Sequence, residues 1–212
     1  VADRLLEETE KVTVERAFLP EPADIVSDYV EENLPVATPV FAFGYKESHE
    51  TAERSIDEEI AMLIILEVLA GQMSPFYKKL LDDGLVNTSF STEYFNGFNY
   101  AAPIFSGESV NPREVCERIK NAVAELKAKG ISEEEFEIVR KKQYGKTVRA
   151  FSDIDTVANG LITTHFAKDE LFAEFNAVKN MELSFVNDLL RKSFDESKAV
   201  LSVVCQKKES KC

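Results

Sequence analysis

The chain reads as an α+β fold: a mostly antiparallel sheet with helices packed on one face. Three observations predict it. Strand-like runs sit near the start, in the middle and at the end, with helices grouped in blocks between them instead of alternating one for one. Ile56, Ile60, Leu63, Ile64 and Val68 recur at helical spacing and mark one long buried helix. Asn96-Gly97 stands between two strand-like runs, the strongest short signal of an antiparallel hairpin.

Each element follows in order. Val1–Glu10 reads as the end of a helix, and Val12–Phe18 alternates like a strand. Leu19–Asp24 is a Pro-containing connector. Ile25–Val30 and Val36–Tyr45 read as extended, the second apolar enough for a central strand with Pro39 near its start. The long helix covers Glu50–Gly71. In SPFYKKLLDDGLVN, Ser74 caps a short helix, Pro75 opens it and Gly84 ends it at Asp83. Asn87–Phe95 and Tyr100–Ser106 read as the hairpin strands. Asn111-Pro112 opens a helix with Val115, Ile119, Ala122 and Leu126 on its buried stripe, closed by Gly130. Ser132 with Glu135 is a capping box for a helix running towards Phe151. Asp153–Ala167 and Leu183–Phe194 read as two more helices, and Ala199–Cys205 as a closing strand.

Composition narrows the function classes. The 212 residues are 44% hydrophobic and 30% charged, ordinary for a globular domain. Lys and Arg number 25 against 38 Asp and Glu, a net charge of -13. Nucleic-acid binding needs clustered cations to neutralise phosphates, so no nucleic-acid partner is expected. Cys116, Cys205 and Cys212 are distant and odd in number, which argues against a disulfide framework or a cysteine zinc site. Cys116 and Cys205 fall in apolar patterns and read as small core residues. No signal peptide is visible, and the apolar run Ile60–Ala70 contains Glu67 and is too short to span a bilayer. A cytoplasmic location without a membrane span is the expectation. The chain starts without Met inside a helical pattern, so an upstream part is expected to be missing.

No metal motif is present. His49 and Glu53 lie four residues apart but supply two ligands at most, whereas zinc takes three or four protein ligands. His165 sits next to Phe166 and reads as a core-edge or surface residue. H-E-x-x-H, H-x-x-E-H, G-x-S-x-G and P-loop patterns are absent. The acids at 133–135 suit a helix N-terminus. No catalytic residue and no metal ligand is assigned in this chain.

Several segments together resemble the C-terminal half of the pitrilysin/insulinase family of zinc peptidases, in its bacterial, processing-peptidase-like branch. EPADIVSDYVEENLPVATPVFAFGYK resembles the lead into that half. EEIAMLIILEVLAGQMSPFYKKLLDDGLVNTSFS resembles its helix, Ser-Pro helix and strand start. KGISEEEFEIVRKKQYG resembles its helix junction, and MELSFVNDLLRKSFDESKAVLSVV its closing helix and strand.

The resemblance implies a division into a lead-in over 1–24 and a single α+β domain over 25–212. It implies a clamshell in which zinc is held by H-x-x-E-H in a separate N-terminal half, which hydrolyses peptides. This chain would close the chamber, help hold the peptide substrate, and be inactive by itself. Its partners would be that N-terminal half or a related subunit. Family members place an Arg and a Tyr at the positions of Leu80 and Asn87, where they reach substrate. Here neither a guanidinium nor a phenol is available, and Lys78, Lys79 and Asn87 are the candidate substrate-binding residues. The departure motivates a second reading, a non-catalytic structural or regulatory subunit of a peptidase pair; a third is an unrelated α+β binding module with an accidental resemblance.

Overall fold

The structure is a computed structural model and describes residues 21–48, 55–97, 99–167, 170 and 172–206. The helix and strand expected before residue 20, together with His49, Glu53 and Cys212, lie outside the described residues.

Six strands form one sheet: β1 (Tyr29–Leu34), β2 (Val40–Tyr45), β3 (Glu47–Ser48), β4 (Ser91–Gly97), β5 (Tyr100–Glu108) and β6 (Ala199–Gln206). They occupy five ranks, because β2 and β3 run along the same edge of β5 in one register. Val40 lies opposite Glu108 and Ser48 opposite Tyr100. Lys46 interrupts that line, its N–H donating instead to the Lys198 carbonyl at 3.0 Å. The spatial order is β1, β6, β2/β3, β5, β4. Every neighbouring pair is antiparallel except β1 with β6.

The closing strand is therefore an inner strand. Its run AVLSVV is apolar enough for that place, while β1, YVEENL, carries the acids of an outer strand. The same acids explain why the first strand begins at Tyr29 and extends past the expected Ile25–Val30: a solvated edge needs no apolar alternation.

Side chains alternate across the sheet. Phe41, Phe43 and Tyr45 of β2, Phe105 of β5, and Leu201 and Val203 of β6 are buried beneath the helices. On the other face Val40, Ala42 and Ser202 are exposed and Ile104, Val200 and Val204 half-buried. One face is covered and one is open.

Seven helices are described: α1 (Ile56–Ala70), α2 (Pro75–Asp82), α3 (Pro112–Lys129), α4 (Glu133–Ala150), α5 (Ile154–Ala167), α6 (Ala173–Asn180) and α7 (Leu183–Lys192). Ser55 and Glu58 form a capping box at the start of α1, and Ser132 and Glu135 form one at the start of α4. Helix α1 is buried on most of its circumference, from Ile60 through Ala70, by β4, α4, α6 and α7. Helix α3 lies on β2 and β6 through Val115, Cys116, Ile119 and Val123.

Three local readings are corrected. Gly97 pairs with Tyr100, so the hairpin reverses after Asn96-Gly97, with Asn99 at φ 63. Asn tolerates that left-handed conformation better than most residues. Residues 87–90 turn before β4 begins, since the Asn87 side chain accepts from the Ser89 N–H at 2.8 Å. Helix α6 was not expected: it is eight residues long, has no side-chain cap, and buries only Ala177 and Val178.

Candidate functional site

The corner Ser74–Asn87 is built by local rules. The Ser74 hydroxyl accepts from the Tyr77 N–H at 3.1 Å, and Pro75 opens α2. At the other end Gly84 takes φ 68. Its N–H donates to the Leu81 carbonyl at 2.9 Å and that of Leu85 to the Leu80 carbonyl at 3.0 Å. This is a Schellman stop, and its companion apolar contact is supplied by Leu80 and Leu85, both buried.

The two aspartates behave differently. Asp82 is exposed, whereas Asp83 accepts from the Arg118 guanidinium of α3. Arg118 also donates to Glu114 at 2.8 Å. These bonds, that to Asp83 first, hold the Arg118 pKa above its usual value. The Asp-Asp-Gly stop thus ends α2 and ties it to α3. Arg118 was missed in the sequence. Its only signal there is the i,i+4 spacing from Glu114; Asp83 is 35 residues away.

The expected substrate-binding residues separate. Leu80, the position where the family's Arg is missing, is 0% exposed and belongs to the core. Asn87 is exposed, but its amide is engaged at both ends, donating to Glu108 at 2.6 Å and accepting from Ser89. It fastens the start of β4 to the end of β5. Lys78 and Lys79 are exposed, and among the described residues neither has an ion-pair partner.

Lys79, but not Lys78 or Asn87, lines a groove of about 710 Å³ between α2, α3 and the end of α1. Its apolar wall includes Val68, Phe76, Ala122 and Leu126, and its charged rim Lys79, Arg118, Lys129, Glu125 and Glu135. Lys129 donates to Glu135 at 2.9 Å. That bond and those from Ser132 lower the Glu135 pKa to about 2. The rim can hold a carboxylate or a backbone carbonyl at Lys79. No serine, threonine, cysteine or histidine lines it, and of its two carboxylates Glu135 is held by Lys129.

Among the described residues, the cysteines, Tyr45 and His165 lie away from this groove. Cys116 is buried under α3, and burial pushes its thiol up to about 11, far from a reactive thiolate. Cys205 is half-buried. Tyr45 is fully buried beside Phe43 and Phe194, its hydroxyl has no hydrogen-bond partner among the described residues, and burial raises its pKa. His165 is exposed on α5. Among the described residues no group of three or more His, Cys, Asp and Glu side chains could hold a metal ion. The described residues therefore do not fit a zinc site.

Comparison with known proteins places this architecture. Residues 2–143 match the family profile described as the peptidase M16 inactive domain. The uncharacterized zinc protease YmfH of Bacillus subtilis (strain 168) is 20% identical over 201 residues, covering 94% of this chain and 47% of YmfH. An M16-like peptidase structure from Alicyclobacillus acidocaldarius is 26% identical with a TM-score of 0.86, over 96% of this chain and 49% of that one. The inactive peptidase domain of a Bordetella parapertussis protein shares the fold at 14% identity and a TM-score of 0.69, over 85% of this chain and 97% of that one. The chain thus spans about half the length of YmfH and of the Alicyclobacillus peptidase. It belongs to the peptidase M16 family, as that family's inactive domain.

Proposed function

We propose that this chain is the C-terminal half of a zinc-dependent peptidase-like protein. There it closes a substrate chamber against a zinc-bearing N-terminal half and helps to hold the peptide. The observation that carries this reading is the inactive-domain match together with coverage of about half of a zinc protease. The open sheet face supports it: a domain with one bare, partly apolar sheet face has a wall to offer to an enclosed space. Zinc in the other half would act as the Lewis acid and polarise the water. This chain's own contribution would be positional. The exposed ammonium groups of Lys78 and Lys79 are its candidates for contact with peptide carbonyls or carboxylates, and Asn87 would act mainly by anchoring β4.

The test uses both the parent protein and this chain. Peptide hydrolysis by the parent should vanish on chelation, while the isolated chain should neither hydrolyse peptide nor carry stoichiometric zinc by elemental analysis. One tightly bound zinc per isolated chain would overturn the reading. In the parent, Lys79→Ala should raise KM or lower kcat/KM, the signature of lost substrate contact.

A second reading has its own observation. The positions of the family's Arg and Tyr are a core leucine and an already engaged asparagine. That favours a non-catalytic subunit working beside an active partner. Co-purification with a zinc-bearing partner, and no hydrolysis by the parent alone, would select it. The cytoplasm is the proposed compartment in either case, in keeping with the free thiols at Cys116 and Cys205. Cell fractionation of the parent checks it.

A further inference from the structure

The groove between α2, α3 and the end of α1 carries a charge pattern that its own residues leave incomplete. Arg118, Ala122, Glu125 and Lys129 follow at spacings of four, three and four residues, so one face of α3 runs along its length. From Arg118 to Lys129 that face rises about 16 Å at 1.5 Å per residue. An extended peptide advances about 3.3 Å per residue, so roughly four or five residues span it. Val68, Phe76, Ala122 and Leu126 make the wall apolar.

Two of the lining cations are already satisfied. Arg118 is held by Asp83 and Glu114, and Lys129 by Glu135. Lys79 of α2 and Glu125 of α3 remain. Both are exposed, they do not pair with each other, and neither has an ion-pair partner among the described residues. The groove thus presents one open cation and one open anion, on different helices, over an apolar wall. The carboxylates of Glu125 and Glu135 repel a polyanion. A molecule with a carboxylate, an ammonium and apolar groups between them matches every part, and a short peptide with both ends free is such a molecule. Asn121, also exposed on the lining, can donate to and accept from its backbone.

We propose that this groove binds short apolar peptides with free termini, Lys79 taking the C-terminal carboxylate and Glu125 the N-terminal ammonium. The proposal rests on the peptide-holding role given to this half and names the class of peptide held. The binding itself needs neither zinc nor hydrolysis.

Amide chemical-shift titration of the 212-residue chain with trileucine tests it. The expected result is saturable binding, with shifts at the groove residues of α2 and α3. N-acetyl-trileucine and trileucine amide each lack one charged end and should bind at least about threefold more weakly, the worth of one exposed ion pair. Lys79→Gln should erase the difference between trileucine and its amide, and Glu125→Gln the difference between trileucine and its acetylated form. Lys146→Gln, the same charge change on the exposed surface of α4, should alter neither difference. No binding of trileucine up to about 10 mM would overturn the proposal. So would equal binding of the three peptides, differences that survive the two groove variants, or octanoate binding as tightly as trileucine. A parent that hydrolyses peptide with zinc while the chain fails these tests refutes the groove alone. A chain that passes them, from a parent without zinc-dependent hydrolysis, refutes only the catalytic part of the peptidase reading.

Discussion

Helices α1 and α5 are close in length, 15 and 14 residues, and both are rich in apolar side chains. One is buried on nearly every side, and the other has no buried residue among those described. Helix α1 is enclosed because β4, α4, α6 and α7 converge on it. Helix α5 is half-buried only at Val157, Gly160 and Thr164 and leaves its larger apolar side chains in solvent. The difference teaches that apolar content announces a need for cover, while the surrounding elements decide whether the domain itself supplies it.

The sharpest way to break this comparison is to cut a cavity beside α1. Ile64→Ala, at a position 0% exposed, should cost about 2–5 kcal/mol in urea unfolding. A cost near that of a surface change would mean that α1 is not the centre of the core. Removing the α1 cap by Ser55→Ala should cost less, ~1 kcal/mol by the same measurement. In the core next to it the Tyr45 hydroxyl has no hydrogen-bond partner among the described residues. Tyr45→Phe should therefore leave stability unchanged or raise it by about 1 kcal/mol.

A pH-dependent effect follows at the start of α4. The Glu135 carboxyl, ordinarily near 4.5, is lowered to about 2, chiefly by Lys129 and then Ser132. Its stabilisation is thus present above pH 4.5 and is lost as pH falls towards 2. Glu135→Gln should be the less stable protein at neutral pH, and the gap should close on acidification. The smallest effect belongs to α5: Leu161→Ser in dilute solution should shift stability by no more than ~0.5 kcal/mol. A large loss there would show that α5 is part of the core after all.

The corner after α2 shows how far residues can be read before the fold is known. Its cap, its glycine stop and its amphipathic helix were all legible, because each depends on residues within five positions. The packing role of Leu80 was legible with the helix; the partners of Asp83 and Asn87 were not. Leu80 lies under the helical layer, Asp83 is claimed by Arg118, and Asn87 by Glu108. The last two partners are 35 and 21 residues away, beyond any local pattern.

By itself the sequence determined the α+β class, three helix starts with their caps, the family resemblance, and the lack of a metal-ligand motif. Those features rest on short-range periodicity, capping chemistry and residue type. Only the tertiary structure decided that the last strand lies inside the sheet, that Lys79 and not Lys78 lines the groove, and that α5 turns its apolar side to solvent. Each of these is set by elements brought together from distant parts of the chain, so no local spacing records it.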